Sequence, residues 1–417
     1  MARILIVVDD ETSLARSRQM LRAYRREWEL DFADSDHAAI ELLDENRVDA
    51  VVVDLSSPNA DSRRLLRRVK AGHPHALRIL VCRAEEQEVM LRSMGLAHQF
   101  MARPYDPEEL RVLIQGVFSL SERLSRPGLR NLAGEIESLP SLPAVYLQLI
   151  DEMNSRNASI RRVSELIAQD LGMSAKILQL INSPFFGFRC HVRDVSHAAA
   201  LLGLNAIKPL VLTAGVFRKL ESGRAPASLV RQLLEHSLAV GGLAQRMARD
   251  VGVSEQCIDH ALLGGIMHDV GKLVLADHYG KHYTLVRSAA EKTRIPLETA
   301  EDDQFDTSHA EVGGYLLALW GLPQPILEAV TFHHDAPVAD EPQWNAATIV
   351  FFANALMRRS EVLLDAKDVD EAEGSPVFQA ATIAEVHLAK WGETARLESW
   401  NRHAAELAAA QRPTGVA

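Results

Sequence analysis

The chain has few cysteines, no long apolar run and no excess of positive charge. Its 417 residues include three scattered cysteines, Cys82, Cys190 and Cys257, without CxxC spacing. Such an odd set argues against a disulfide framework or a thiolate metal site and favours a reducing cytoplasm. No stretch approaches the roughly 20 apolar residues that a membrane span needs. The first residues, MARILIVVDDE, end in acids, so we expect neither a secretory signal nor a membrane anchor.

The composition is that of a globular protein with an acidic balance. Apolar residues make up 47% and charged residues 24% of the chain, and the formal net charge is -11. Because nucleic acids and anionic membranes are also negative, this charge disfavours nonspecific attraction to either. No DNA-binding motif of the usual kinds is visible, so we predict no specific DNA binding and no membrane partner. The length predicts two or three domains.

Residues 1–122 alternate short buried-strand patterns with helix patterns. The strand patterns are ILIVV, LDFA, DAVVVD, LRILVC and QFMA. This alternation predicts an α/β domain with a doubly wound parallel sheet and helices on both faces. We expect its last helix to begin at Pro107, with Asp106 as the cap.

Polar side chains follow the predicted strands of this domain. They are Asp9 and Asp10 after the first strand, Asp54 at the end of the third, Cys82 at the end of the fourth and Arg103 after the fifth. In an open parallel sheet, ligand chemistry collects at the carboxyl ends of the strands. Three converging carboxylates beside a cation could hold Mg²⁺ and leave one carboxylate as a nucleophile towards a phosphoryl group.

The segments VVDDE, VVVDL and FMARPYDPEEL resemble the receiver domain of bacterial response regulators. The resemblance implies that Asp54 accepts a phosphoryl group, that Asp9 and Asp10 hold Mg²⁺, and that a cognate sensor histidine kinase is a partner. Two positions differ from the family, which has Ser or Thr at Cys82 and Lys at Arg103. Because both changes affect how an aspartyl phosphate is held, the alternative is a pseudo-receiver used for docking or for a homodimer.

A second domain follows a predicted linker at residues 123–134, where Arg126, Pro127 and Gly128 interrupt a helical pattern. From residue 135 to 360, long apolar stripes without strand signals predict an all-helical domain. We interpret residues 361–417 as an acidic exposed loop, DAKDVDEAEG, followed by a C-terminal helical extension.

A set of histidines marks this helical domain. In GGIMHDVGKLVL, His268 and Asp269 lie in an apolar run, where buried polar groups need partners. On a helix, His236 shares an apolar stripe with Leu233 and Val240 and therefore points inward. The same domain also supplies His309, His333 and His334. This composition is typical of a metal site. The alternative is that backbone or carboxylate groups satisfy each histidine, with Asp269 orienting His236 or His334.

Several segments of the helical part resemble the HDOD output domain, a relative of the HD phosphohydrolases. Those that carry the resemblance include LPSLPAVYLQLI, INSPFFGF, HSLAV, GGIMHDVGKL, HAEVGGYLLALWGLP and AVTFHHDAP. The superfamily chemistry would use His236, His268, Asp269 and a terminal aspartate to hold a divalent transition metal and activate water. His309, His333 and His334 resemble the additional ligands of the two-metal branch. Asn354 stands where the terminal aspartate belongs, and the GYP signature of that branch is absent.

We therefore interpret the chain as a cytoplasmic response regulator whose receiver controls an HDOD domain. The output is predicted to be non-catalytic and to act through contacts with an unknown downstream protein. The alternative is a metal-dependent phosphohydrolase of nucleotides or cyclic dinucleotides. Lys272, one helical turn after His268, either faces the histidines or is a surface lysine.

Overall fold

The computed structural model of the chain describes residues 1–9, 11–54, 62–82, 96–102, 105–123, 149, 152, 159–168, 225–319, 322–335, 342–365 and 376–411. Apart from Arg123, which ends a helix, the predicted linker lies outside these ranges, as does the acidic segment after residue 365. The chain divides into two compact units, one of residues 1–141 with 315–323 and one of residues 142–314 with 324–417. Among the helices in the described ranges, none combines the length and apolar character that crossing a bilayer requires.

The first unit contains the predicted doubly wound sheet. Its five parallel strands have the order β2-β1-β3-β4-β5. The strands are β1 (Ala2–Val8), β2 (Trp28–Ala33), β3 (Ala50–Asp54), β4 (Leu77–Cys82) and β5 (Gln99–Ala102). The described helices are α1 (Glu11–Met20), a short 3-10 helix (Arg22–Arg26), α2 (Asp36–Glu45), α3 (Ser62–Gly72) and α4 (Pro107–Arg123).

The apolar strand runs form the core of this unit because both sheet faces are covered. Ile4 to Val8 of β1 and Ala50 to Val53 of β3 are completely buried. The side chains of Leu65, Leu66 and Val69 from α3 pack with those of β1 and β3 in one cluster. The β1–β3 register pairs Val8 with Asp54, so the carboxyl ends of these strands lie at the same edge of the sheet.

The second unit is helical throughout its described residues. Its helices are α5 (Ile160–Ala168), α6 (Ala227–Val251), α7 (Glu255–Met267), α8 (Val270–Tyr279), α9 (Lys281–Thr293), α10 (Leu297–Phe305), the first six residues of α11 (His309–Leu319), α12 (Gln324–Thr331), α13 (Ala346–Asp365), α14 (Pro376–Lys390) and α15 (Thr394–Ala410). Helix α13 continues without a break past residue 360. Trp391 and Trp400, from the segment after α13, pack in one core with Phe352 of α13.

Two glycine contacts determine how closely the helices of the second unit approach one another. A Cβ atom on Gly265 of α7 would lie 2.6 Å from the Cα atom of Gly241 on α6. A Cβ atom on Gly271 of α8 would lie 1.9 Å from the backbone oxygen of His309. Because side chains are absent at these points, the backbones of α6 and α7 touch, as do those of α8 and α11, and the histidine-bearing parts of these four helices come together.

Candidate functional site

The sheet edge of the first unit carries part of the predicted receiver site. Asp54 is buried at the end of β3, and Asp9 directly follows Val8, the residue paired with Asp54. Cys82 is the last residue of β4 and pairs with Ala102 of β5. Asp10 and Arg103 lie outside the described residues. The Mg²⁺ ligands, the phosphoacceptor and the switch residues therefore stay predictions, although the strand ends lie where the sequence analysis placed them.

The helical unit brings the predicted histidines together around one carboxylate. The Oδ1 atom of Asp269 lies 3.4 Å from Nε2 of His268, 3.4 Å from Nε2 of His309 and 3.6 Å from Nε2 of His333. Its Oδ2 atom lies 4.0 Å from Nε2 of His236. Because these residues come from α6, the α7–α8 junction, α11 and the end of α12, only tertiary packing could bring them together.

His334 and Asn354 complete this group, which we call the histidine cluster: His236, His268, Asp269, His309, His333, His334 and Asn354. Nε2 of His334 lies 3.0 Å from Nε2 of His309. The Oδ1 atom of buried Asn354 lies 3.3 Å from Nε2 of His236. The neutral amide therefore lies at the cluster, as its position in the sequence predicts.

Backbone carbonyl groups fix the orientation of two cluster histidines. Nδ1 of His268 donates to the carbonyl oxygen of Gly265 at 2.7 Å, and Nδ1 of His333 donates to that of Val330 at 2.6 Å. A carbonyl oxygen can only accept, so each Nδ1 atom carries the proton. In the neutral ring, Nε2 then directs a lone pair towards Asp269. This tautomer is the one that metal-binding histidines adopt.

Carboxylates hold two further histidines in the same way. Nδ1 of His309 lies 2.5 Å from Oε2 of Glu301, and Nδ1 of His236 lies 2.7 Å from Oε1 of Glu361. The sequence analysis predicted a role for neither carboxylate. Glu361 follows Asn354 by seven residues, two helical turns, so the face of α13 could have revealed it. Glu301 carried no such signal, because it lies among other acids in LETAEDDQF.

The donor set of the cluster fits a divalent transition metal. Nε2 of His268, Nε2 of His333 and Oδ1 of Asp269 are buried and lack a hydrogen-bond partner among the described residues. Lone pairs that face one another need a cation between them, and imidazole nitrogen and carboxylate oxygen suit zinc, iron, nickel or manganese. Ligand atoms lie within 4.8 Å of one another in two groups: His309, His333 and His334, and His236, His268 and Asp269.

Lys272 belongs to this site, so the interpretation as a surface lysine is wrong. Its side chain is buried, and its Nζ atom lies 2.7 Å from Oδ2 of Asp269. Burial lowers the pKa of Lys272, although the charge of Asp269 opposes this shift. Burial alone would raise the pKa of Asp269, but the neighbouring His268 and Lys272 hold it well below its usual value. The central carboxylate is therefore ionised and already paired with one cation.

Comparisons with known proteins agree with both units. The family model for the response regulator receiver domain matches residues 4–115, and the model for the HDOD domain matches residues 139–336. The chain carries a response regulator receiver domain followed by an HDOD domain. These two matches give the chain the domain arrangement of a response regulator of a two-component system.

Individual relatives cover parts of this arrangement. The chain is 27% identical to an uncharacterised protein of Treponema pallidum over 55% of its own length. It is 29% identical to the transcriptional regulatory protein TrcR of Mycobacterium tuberculosis over 30% of its length. It spans 44% and 48% of the lengths of these relatives. An HDOD domain protein from Geobacter sulfurreducens matches 69% of this chain and 99% of its own, with 23% identity and a TM-score of 0.50, which shows a shared fold.

Proposed function

We propose that this response regulator acts in the cytoplasm by changing the contacts of its HDOD domain with a downstream protein, without hydrolysing a phosphate ester. The proposed input is phosphorylation of Asp54, with Mg²⁺ held by Asp9 and Asp10. The burial of Asp54 at the carboxyl end of a central strand supports this input, because ligand chemistry collects at that edge. Switching by Cys82 and Arg103, and a homodimer, belong to the same proposal.

The charge balance of the histidine cluster carries the proposal. Its carboxylate, Asp269, is neutralised by Lys272 at 2.7 Å, and a neutral amide, Asn354, lies at the position of the last acidic ligand. Two divalent ions would bring positive charge into a buried site whose innermost ligands cannot balance it, and uncompensated buried charge is costly. A single ion held by imidazole nitrogens fits better. It would link α6, α8, α11 and α12 as a structural centre.

Hydrolysis assays on the full chain test this proposal. The protein is supplied with Mn²⁺, Fe²⁺ or Ni²⁺ and a phosphodiester or a cyclic dinucleotide, and product release is measured. We expect no turnover from the native chain and tighter metal binding by Asn354→Asp, because that variant adds an anionic ligand. Turnover by the native chain that disappears in His268→Ala would refute the non-catalytic assignment.

A labelling experiment tests the receiver separately. With Mg²⁺ present, acetyl phosphate should label the native chain and should not label Asp54→Asn, because that substitution removes the nucleophilic carboxylate. A native chain that takes no label would identify a pseudo-receiver and would refute phosphorylation as the input.

The second candidate function is a metal-dependent phosphohydrolase of nucleotides or cyclic dinucleotides. One specific observation favours it: the lone pairs of His268 and His333 converge on Asp269 without any other hydrogen-bond partner among the described residues. A bound metal would supply Lewis-acid activation of water at this point. The same hydrolysis assay separates the two candidates, since only the second requires turnover.

A further inference from the structure

Helix α3 of the first unit is strongly basic, although the chain as a whole is acidic with a formal net charge of -11. Its sequence, SRRLLRRVKAG, contains Arg63, Arg64, Arg67, Arg68 and Lys70 and no acidic residue. The apolar residues between these positions pack into the core of the unit, so the basic residues line the other side of the helix. Arg64, Arg67 and Arg68 are exposed, and the other two are half-buried.

The charges of α3 repel one another, and the first unit relieves this repulsion only in part. Arg63 and Arg67 are four residues apart, as are Arg64 and Arg68, and like charges at this spacing destabilise a helix. Arg68 forms an ion pair with Asp44 of α2, with Nη2 2.6 Å from Oδ1. Arg63 and Arg67 have no ion pair or hydrogen bond with any described residue, and the Nε atom of Arg63 is buried. A pattern that costs helix stability and lacks internal partners indicates a surface for another molecule.

The neighbouring helix α2 limits the extent of this basic surface. Apolar residues of α2 and α3 pack in one cluster, and α2 carries the exposed acids Glu41, Asp44 and Glu45. At 1.5 Å per residue, α3 is only about 16 Å long. Charges interact over roughly 8 Å at physiological ionic strength. A nucleic acid or an anionic membrane extends beyond α3 and would therefore meet the acids of α2, whereas a short acidic peptide can lie on α3 alone.

We propose that the basic side of α3 docks a short acidic segment of a partner protein, with Arg63, Arg64 and Arg67 as its main contacts. Four of the five basic residues of α3 are arginines. A guanidinium group binds a carboxylate through two parallel hydrogen bonds, which an ammonium group cannot form. The bound carboxylates also relieve the repulsion along the helix. Because this surface lies on the receiver, the inference does not depend on whether the HDOD domain is catalytic.

Fluorescence anisotropy with the full chain and fluorescein-labelled octaglutamate tests this surface. Octaglutamate should bind, and it should bind more weakly in about 0.5 M NaCl, because salt screens exposed charges. A labelled peptide of alternating Glu and Lys, and the variant Arg63→Gln/Arg67→Gln, should each lower the affinity about fivefold or more. The matched control is Arg22→Gln/Arg26→Gln, which removes two exposed arginines at the same spacing from the 3-10 helix of the same unit. It should bind octaglutamate like the native chain.

Urea unfolding separates docking from a structural role of the arginines. Arg63→Gln/Arg67→Gln should be at least as stable as the native chain, because it removes a pair of like charges. A less stable variant would show that these arginines serve the fold and would overturn the inference. So would a lack of octaglutamate binding at millimolar concentration, or equal affinity in the two double variants. Labelled octauridylate RNA and vesicles of phosphatidylserine with phosphatidylcholine test the other polyanions. If either binds more tightly than octaglutamate, the assignment of an acidic peptide is wrong.

Discussion

The buried carboxylate of Glu301 offers a direct test of how the histidine cluster is oriented. Its Oε1 atom accepts a hydrogen bond from the Tyr283 hydroxyl at 2.6 Å. Its Oε2 atom accepts from the backbone nitrogen of His309 at 2.8 Å and from Nδ1 of the same residue at 2.5 Å. Burial would raise the pKa of Glu301, but its interactions with His309 and Tyr283 lower it below the usual value. The ionised carboxylate therefore directs Nε2 of His309 towards Asp269.

The substitution Glu301→Gln retains the shape of the side chain and removes its charge. One amide oxygen can still accept from His309, but the bond from Nδ1 is no longer charge-assisted. Hydrogen bonds to charged groups contribute roughly 1.5–3 kcal/mol, against about 1 kcal/mol for neutral ones, so the free energy of unfolding should fall by about 1–2 kcal/mol. The imidazole also becomes a less basic ligand. Loss of such an outer partner typically lowers metal affinity by about 10–100-fold.

The assay is a competition titration of the metal-free chain with Zn²⁺ and a chromogenic chelator. Glu311→Gln is the matched control, because the Glu311 carboxylate also lies on α11 but accepts from the Thr307 hydroxyl and the backbone nitrogen of Ser308. It should bind Zn²⁺ like the native chain. Equal Zn²⁺ affinity in Glu301→Gln and Glu311→Gln would refute the assignment of Glu301 as the residue that orients His309.

Three further variants test the packing and the charges of the two units by urea unfolding. In the metal-free chain, Lys272→Met should cost about 3–5 kcal/mol, because it leaves the buried carboxylate at its side unpaired. Burial and the charge of Arg78, whose Nη2 atom lies 2.6 Å from His98, lower the pKa of His98 well below its usual value. Below about pH 6.5 the unfolded chain therefore binds more protons than the folded chain. The free energy of unfolding should decrease as the pH falls below 6.5, by up to about 1.4 kcal/mol per pH unit. His98→Gln should remove this contribution to the pH dependence of the free energy of unfolding. Gly271→Ala should cost at least about 3 kcal/mol, because its Cβ atom would lie 1.9 Å from the backbone oxygen of His309.

For each of these three predictions, one measured result would contradict the reasoning. A Lys272→Met variant as stable as the native chain would mean that the ammonium group does not compensate a buried charge. An unchanged pH slope in His98→Gln would exclude His98 as the source of acid sensitivity. A Gly271→Ala variant of native stability would show that α8 and α11 do not touch through their backbones.

The first unit could be predicted well from the sequence because its signals are local. The run ILIVV is short, apolar and bounded by polar residues, and it forms the buried part of β1 from Ile4 to Val8. The last described helix of that unit begins at Pro107, as predicted, and the carboxylate of Asp106 accepts from the backbone nitrogen of Glu108 at 2.8 Å. A helix cap and a hydrophobic periodicity each depend on a few consecutive residues, so both can be predicted from the sequence alone.

The cluster could be predicted only in part because its geometry depends on contacts between distant segments. The apolar stripe of α6 was sufficient to predict that His236 is buried. The spacing of Lys272 one helical turn after His268 assumes a continuous helix, but α7 ends at Met267 and α8 begins at Val270. The backbone nitrogen of Lys272 donates to the carbonyl oxygen of Asp269 across this break. This turn brings the side chains of Asp269 and Lys272 together. Residue spacing along a single helix could not predict that the Lys272 side chain faces the cluster.

The contacts of His236 bear on the proposed non-catalytic role of the cluster. Two side chains of α13 hold this histidine: Glu361 at Nδ1 and Asn354 at Nε2. A carboxylate in place of the amide would draw metal into the cluster and resist any displacement of α13. With the amide, a rotation or shift of α13 relative to His236 breaks a hydrogen bond, at a cost of about 0.5–1.5 kcal/mol, instead of a metal–ligand bond, which would cost more. A signal can shift a population between two arrangements of α13 only if their free energies are similar. An amide at residue 354 keeps that difference small, which suits the proposed regulation by contact.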